Sequence, residues 1–161
     1  MPDLNSEFLF ELRIPQKKDA MIDMGQTPLS ELMFSVADSG SFAGPKIKGS
    51  VIPLSGGDWT RARSDMSLTL DVRICLQTHD KANILMTYQG VMAANSRDDF
   101  WYMVNADKKD DPKGAMERYY YRIAAFFETG DQRYAWMNRI LAVGSGRLAD
   151  NQAIYEVFQI K

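Results

Sequence analysis

Ser67-Leu-Thr-Leu-Asp-Val-Arg-Ile-Cys-Leu-Gln77 is the stretch that decides the fold. Leu68, Leu70, Val72, Ile74 and Leu76 recur at every second position, with Thr69, Asp71, Arg73, Cys75 and Gln77 between them. A period of two is the signature of a half-buried strand. A one-residue slip would send every apolar side chain to the wrong face, so the register is strongly specified. Thr78 to Lys81 reads as a turn. Ile84, Met86, Tyr88 and Met92 then share a face opposite Leu85, Thr87, Gln89 and Val91, and the two runs are expected to pair as a hairpin.

Toward the N-terminus, Gly40 to Trp59 holds five glycines and two prolines around the alternation Ile47, Gly49, Val51. That density marks turns, bulges or close backbone approach. It ends in Asp58-Trp59 beside a Gly-Gly pair, a plausible rim for a small-molecule pocket and equally a tight barrel corner. Further upstream, Glu7 to Ile14 alternates with Phe8, Phe10, Leu12 and Ile14 on one parity. Pro15 to Asp23 reads as a polar connection and Gly25 to Pro28 as a turn. Leu32 to Ala37 reads as a second strand, and Asp38 to Gly40 as a hairpin turn.

Toward the C-terminus, residues 93–117 read as an irregular loop. Its aromatic knot Phe100-Trp101-Tyr102 and charged run Asp107 to Asp111 suit a lid or an oligomer contact. Tyr119 to Glu128 alternates again. Thr129 and Gln132 match a capping box, predicting a short helix through about Asn138. Arg139 to Gly144 is read as a strand ended by Gly144-Ser-Gly146, and Ala153 to Ile160 as the last strand. The fold class expected is all-β: one domain over 1–161, an antiparallel closed or nearly closed barrel with one short helix near the C-terminal third.

Lys+Arg at 19 against Asp+Glu at 21 gives −2, without the clustered positive charge of a nucleic-acid surface. The single Cys75 excludes an internal disulfide framework and fits a reducing compartment. The opening Met-Pro-Asp-Leu-Asn-Ser-Glu lacks a basic region followed by an apolar one, and no apolar run reaches the length of a membrane span. The expectation is a cytoplasmic protein with neither nucleic-acid nor membrane partners.

Gly40-x-Phe42-x-Gly44-Pro45-x-Ile47-x-Gly49-x-Val51-x-Pro53, followed by Gly-Asp58-Trp59, resembles the bacterial and fungal family called domain of unknown function 3237. The resemblance continues through Leu70-Asp71-x-Arg73, Tyr120-Tyr121-Arg122, Phe127 to Asp131, Arg133 to Arg139 and Val143-Gly144-x-Gly146, nearly the whole chain. Phe100 to Ala115 has no clear counterpart. The resemblance implies a compact β-barrel with a pocket, homo-oligomeric, needing no cofactor. It also implies a small apolar or aromatic substrate: fungal relatives occur beside natural-product genes and act on polyketide or prenylated aromatic compounds, closing oxygen rings by adding a hydroxyl across an alkene.

Among the residues themselves, one His and one Cys with no ligand spacing argue against a metal. A Ser-His-Asp triad would have to use His79, which falls in a turn. Cys75 has no basic partner nearby in the sequence, and Gly44 to Ser50 has Gly where a P-loop has Lys. The chemistry therefore falls to Asp71 and Arg73 on one strand and Arg122 and Glu128 on another, with Asp58 as a further acid or base. If those faces point inward, four charges converge and must pair or line a wet pocket. If they point outward, they carry surface ion pairs worth little. Trp59, Tyr88, Tyr120, Trp136 and Asn138 are the candidate substrate-binding residues. Two functions follow: a cofactor-independent cyclase or isomerase working by proton transfer, or a non-catalytic barrel that carries an apolar or aromatic molecule.

Overall fold

The computed structural model describes residues 4–161. The strands are β1 (Ser6–Pro15), β2 (Met21–Gln26), β3 (Glu31–Val36), β4 (Ser41–Ala43), β5 (Lys48–Val51), β6 (Gly57–Ala62), β7 (Ser67–Thr78), β8 (Asn83–Ala94), β9 (Tyr119–Glu128), β10 (Ala142–Ala149) and β11 (Gln152–Ile160). Two α-helices, α1 (Arg97–Val104) and α2 (Pro112–Arg118), link β8 to β9, and short 3-10 helices occupy Lys18–Ala20 and Gln132–Arg139. All pairings are antiparallel. Going round, β7, β8, β9, β10, β11, β1, β4 and β5 hydrogen-bond in turn, and β5 returns to β7, closing the barrel.

The length of β7 creates the second feature of the fold. Its C-terminal end, Leu76 to Thr78, pairs with β5, while Leu68 to Arg73 pairs with β6. Strand β6 carries β3, and β3 carries β2, so these three strands continue the sheet past the point where the barrel closes. β5 and the turn into β6 cross β7 closely. A Cβ on Gly49 would sit 2.0 Å from the Gln77 carbonyl oxygen, and one on Gly56 only 1.8 Å from that of Arg73. Glycine is required at both.

The β7–β8 hairpin has the register its alternation predicts. Leu70, Val72, Ile74 and Leu76 meet Ile84, Met86 and Tyr88 inside the barrel, all nearly inaccessible to solvent. Strand β9 matches its sequence bounds and buries Tyr119, Tyr121, Ile123, Ala125 and Phe127. These apolar rows fill the interior, as the hydrophobic effect requires of a small barrel.

Several local expectations are overturned. The segment 93–117 is not irregular. Ser96 caps α1 by accepting the Asp99 N–H, and Asp111 caps α2 ahead of Pro112, which suits a first helical turn. The helix after β9 is 3-10 and its cap is Asp131 rather than Thr129. Gly144 and Gly146 lie inside β10, where Ile123 and Tyr121 occupy the space their side chains would need. Met21 to Gln26 is a strand rather than mostly connection. Asp38 to Gly40 is not a hairpin, because β3 pairs with β2 and β6 while β4 pairs with β1 and β5. A bulge between Phe8 and Phe10 moves Leu9 into the core and leaves Phe8 facing outward. Among the described residues, no helix is long and apolar enough to cross a membrane.

Candidate active site at the seam between two strands

The charged faces of β7 and β9 point outward, because the apolar parity has taken the interior. Asp71, Arg73, Arg122 and Glu128 therefore do not meet inside the barrel. The β3–β6 extension changes what outward means. Standing off the barrel wall, it encloses with the outer faces of β7, β8 and β9 an open hollow of about 1290 Å³. Asp71, Arg73 and Arg122 line this hollow, together with Arg61 and Arg63 from β6 and its following turn. Trp59 and Tyr120 line it too, and Phe34 packs against Trp59 at a tilt of 40°, with ring centroids 4.5 Å apart. Glu128 is exposed at the far end of β9, outside the hollow.

Among the described residues, Arg61, Arg73 and Arg122 make no ion pair, while the charge of Arg63 acts on Asp65 and helps hold that carboxyl below its ordinary value. Arg122 donates to the Tyr121 carbonyl at 2.8 Å and lies 5.1 Å from the Tyr120 ring centre, and Arg61 reaches Ser30 Oγ at 3.5 Å. Against them stands one carboxylate, Asp71. Nothing in the sequence pattern of β3, of β6 or of the turn after β6 identified Phe34, Arg61 or Arg63. They become site residues only because β6 and β3 add to β7.

Asp58 sits on the other side of the same wall. The ladder between β6 and β7 holds at Gly57, Asp58, Arg61 and Ala62, but Trp59 and Thr60 have no partners on β7. The Asp58 carboxyl fills that seam, with Oδ1 accepting the Asp71 backbone N–H at 3.3 Å. Burial pushes its pKa from 3.8 up to about 7. The Thr60 hydroxyl and the Asp71 N–H pull the other way, and the Asp71 charge adds to the rise. Gly57 lines both the outer hollow and a small, partly open cavity of about 30 Å³ on the other side of the sheet, onto which Asp58 opens. Leu70, although an interior residue, also lines the hollow, which thus reaches the seam.

Tyr88 and Tyr155 face Asp58 across the small cavity. The Tyr88 hydroxyl donates to that of Tyr155 at 3.4 Å, and the hydroxyls of Tyr155 and Tyr121 are 2.5 Å apart. Burial holds all three phenols above their ordinary value, Tyr155 at about 12, so they stay neutral donors. Tyr121 and Tyr155 are the interior residues the sequence reading missed. Phenols on the buried parity of β9 and β11 were the available clue. The remaining candidates lie elsewhere. Trp136 packs on the core from the 3-10 helix. Asn138 spends its amide clamping Thr129, accepting from its N–H at 2.8 Å and donating to its carbonyl at 2.9 Å. Among the described residues, no group of three or more His, Cys, Asp or Glu side chains is placed to hold a metal.

This arrangement sets two carboxyls on either side of one seam. Burial pushes the inner one toward a pKa of about 7, and the outer one lies among positive charges. Such a pair can give and take a proton within one site.

Known proteins share this architecture. A solved structure from Rhodopseudomonas palustris superposes with TM-score 0.86 at 20% identity, covering 100% of both chains. A β-barrel-like protein from Acinetobacter baumannii superposes with TM-score 0.81 at 25% identity, covering 100% of this chain and 98% of that one. A Penicillium herquei protein named as a hydroalkoxylation enzyme is 24% identical over 158 residues, 98% of this chain and 84% of that protein. The crystal structure of an enzyme from the same fungus covers 100% of this chain and 98% of its own, with TM-score 0.59 at 25% identity. The family model described as Protein of unknown function (DUF3237) matches residues 4–160, and the chain belongs to that family.

Proposed function

We propose that this protein is a cofactor-independent cyclase or isomerase that moves protons within one small aromatic molecule, closing an oxygen ring by adding a hydroxyl across an alkene. The observation that carries this reading is the seam: Asp58, titrating near neutrality, lies directly behind the hollow that presents Asp71. The name of the Penicillium herquei relative supports the reaction class.

Intramolecular addition of O–H to C=C is redox neutral. The hydroxyl loses a proton to Asp71, the new C–O bond forms as the alkene π pair takes a proton, and Asp58 in its acid form, which does not itself line the hollow, supplies that proton through the gap that Trp59 and Thr60 leave in the β6–β7 ladder. Proton return from Asp71 to Asp58 across the seam then restores both groups. Arg73 and Arg122 stabilise the developing oxyanion, and holding both ends of one molecule in the hollow supplies much of the barrier reduction. The natural-product setting comes from the family resemblance alone.

The test is turnover of a panel of 2-allyl and 2-prenyl phenols, read as an isomer of unchanged mass and as deuterium placed on carbon in heavy water. Asp58→Asn and Asp71→Asn are each expected to lower turnover about a hundredfold or more. If both variants fold and keep wild-type turnover, the reading fails. A carrier function is the second reading, favoured by the openness of the hollow and its exposed rings. It predicts saturable binding with no isomerisation.

A further inference from the structure

The register across β6, β7, β8 and β9 orders the hollow into rows. Arg61 pairs with Thr69, Thr69 with Val91, and Val91 with Arg122, so Arg61 and Arg122 flank one row. The next row runs from Trp59 past Asp71 to Gln89 and Ala124. The third holds Arg73, opposite Gly57 and Thr87. Along β7, Arg73 lies four residues from Thr69, a separation of about 13 Å at the strand rise. Positive charge therefore sits at both ends of the hollow, with an aromatic and amide strip between. Asp71 stands alone in that strip. It disfavours an ionised group at the centre and suits a neutral hydroxyl there.

Guanidiniums without carboxylate partners are the groups that carboxylates and other planar oxyanions bind in two-point fashion. The chain as a whole carries −2, so this excess of positive charge is local to the hollow. We infer that the hollow takes an elongated, planar, two- or three-ring aromatic that carries an acidic group at each end, one held by Arg61 and the other by Arg73, with its rings along Trp59. This names the substrate class of the site proposed above and rests on the hollow being that site.

Three probes separate the possibilities: naphthalene-2,6-dicarboxylate, 2-naphthoate and 2,6-bis(hydroxymethyl)naphthalene. Binding is read by calorimetry and by Trp59 emission, with Trp59→Phe as the control. The dicarboxylate is expected to bind about tenfold more tightly than the monoacid, and the monoacid more tightly than the diol. Raising salt should weaken the diacid most. Arg61→Met and Arg73→Met should each cost the diacid about tenfold. The monoacid, free to use the other end, should lose about twofold. Equal affinities for the three probes, no binding by any of them, or diacid affinity unchanged in folded Arg61→Met and Arg73→Met would each overturn the inference. Diacid binding without turnover of any phenol, a prenylated naphthol carrying a carboxylate at each end included, would remove the acid–base reading and leave this one standing. Turnover that depends on Asp58 and Asp71, with no preference among the probes, would do the reverse.

Discussion

Asp58→Asn should change how stability depends on pH, in a direction opposite to that of most carboxylates. In the unfolded chain Asp58 ionises near 3.8, and in the barrel only at about 7. Below pH 3.8 it is neutral in both states and contributes no pH dependence. Between the two values the folded chain holds a proton that the unfolded chain has released, so stability falls as pH rises. Above 7 the whole penalty remains, an upper figure of about 4 kcal/mol for a displacement of that size. Asparagine keeps an acceptor for the Asp71 N–H and cannot ionise. The variant should therefore match the wild type near pH 4 and exceed it at pH 8, gaining about 2–3 kcal/mol between pH 5 and pH 8. Paired urea unfolding curves across that range cancel the contributions of every other titrating group, and the gain corresponds to a midpoint shift of order 1 M. A difference between variant and wild type that stays flat from pH 5 to pH 8 would mean that Asp58 is ordinarily hydrated, and the seam would lose its acid.

Two further perturbations address the interior and the helices. Tyr155→Phe removes the hydroxyl shared by Tyr88 and Tyr121, three side chains almost wholly removed from solvent. Stability should drop by about 1–3 kcal/mol, and an unchanged melting temperature would show the phenol chain to be idle. Arg147, itself buried, holds Asp110 at 2.6 Å and reaches Glu11 and Glu156 from β10. Arg147→Met should cost about 2–3 kcal/mol, less than a fully buried pair because the acids are partly solvated, and should speed amide exchange around residues 105–111. Exchange rates identical to wild type would place the anchor of that segment elsewhere.

The barrel was legible because β7, β8 and β9 each bury one parity, and a parity can be read from sequence without knowing the partner strand. What escaped depended on partners. The Phe8–Phe10 bulge is set by β11, and the β3–β4 connection by strands distant in the chain, so neither leaves a local trace. The helices in 97–118 did leave one, in Ser96 with Asp99 and in Asp111-Pro112. Their short length and mixed polarity gave no periodicity to support it.

The site was harder to read for a topological reason. On a closed barrel the outer face is convex, and charges placed there should be isolated. The even spacing of Asp71 and Arg73 therefore pointed either to an improbable charged interior or to an unremarkable surface. The structure takes neither option, because β7 is long enough to take two partners along one edge. One partner, β5, closes the barrel, and the other, β6, carries β3 and β2 outward to wall a hollow against the convex face. Residues on opposite faces of one sheet then become neighbours through the wall. Asp58 points in and Asp71 points out, yet the carboxyl of one accepts the backbone N–H of the other. Parity separates such residues into two classes, and only the missing ladder pairs at Trp59 and Thr60 bring them to one place.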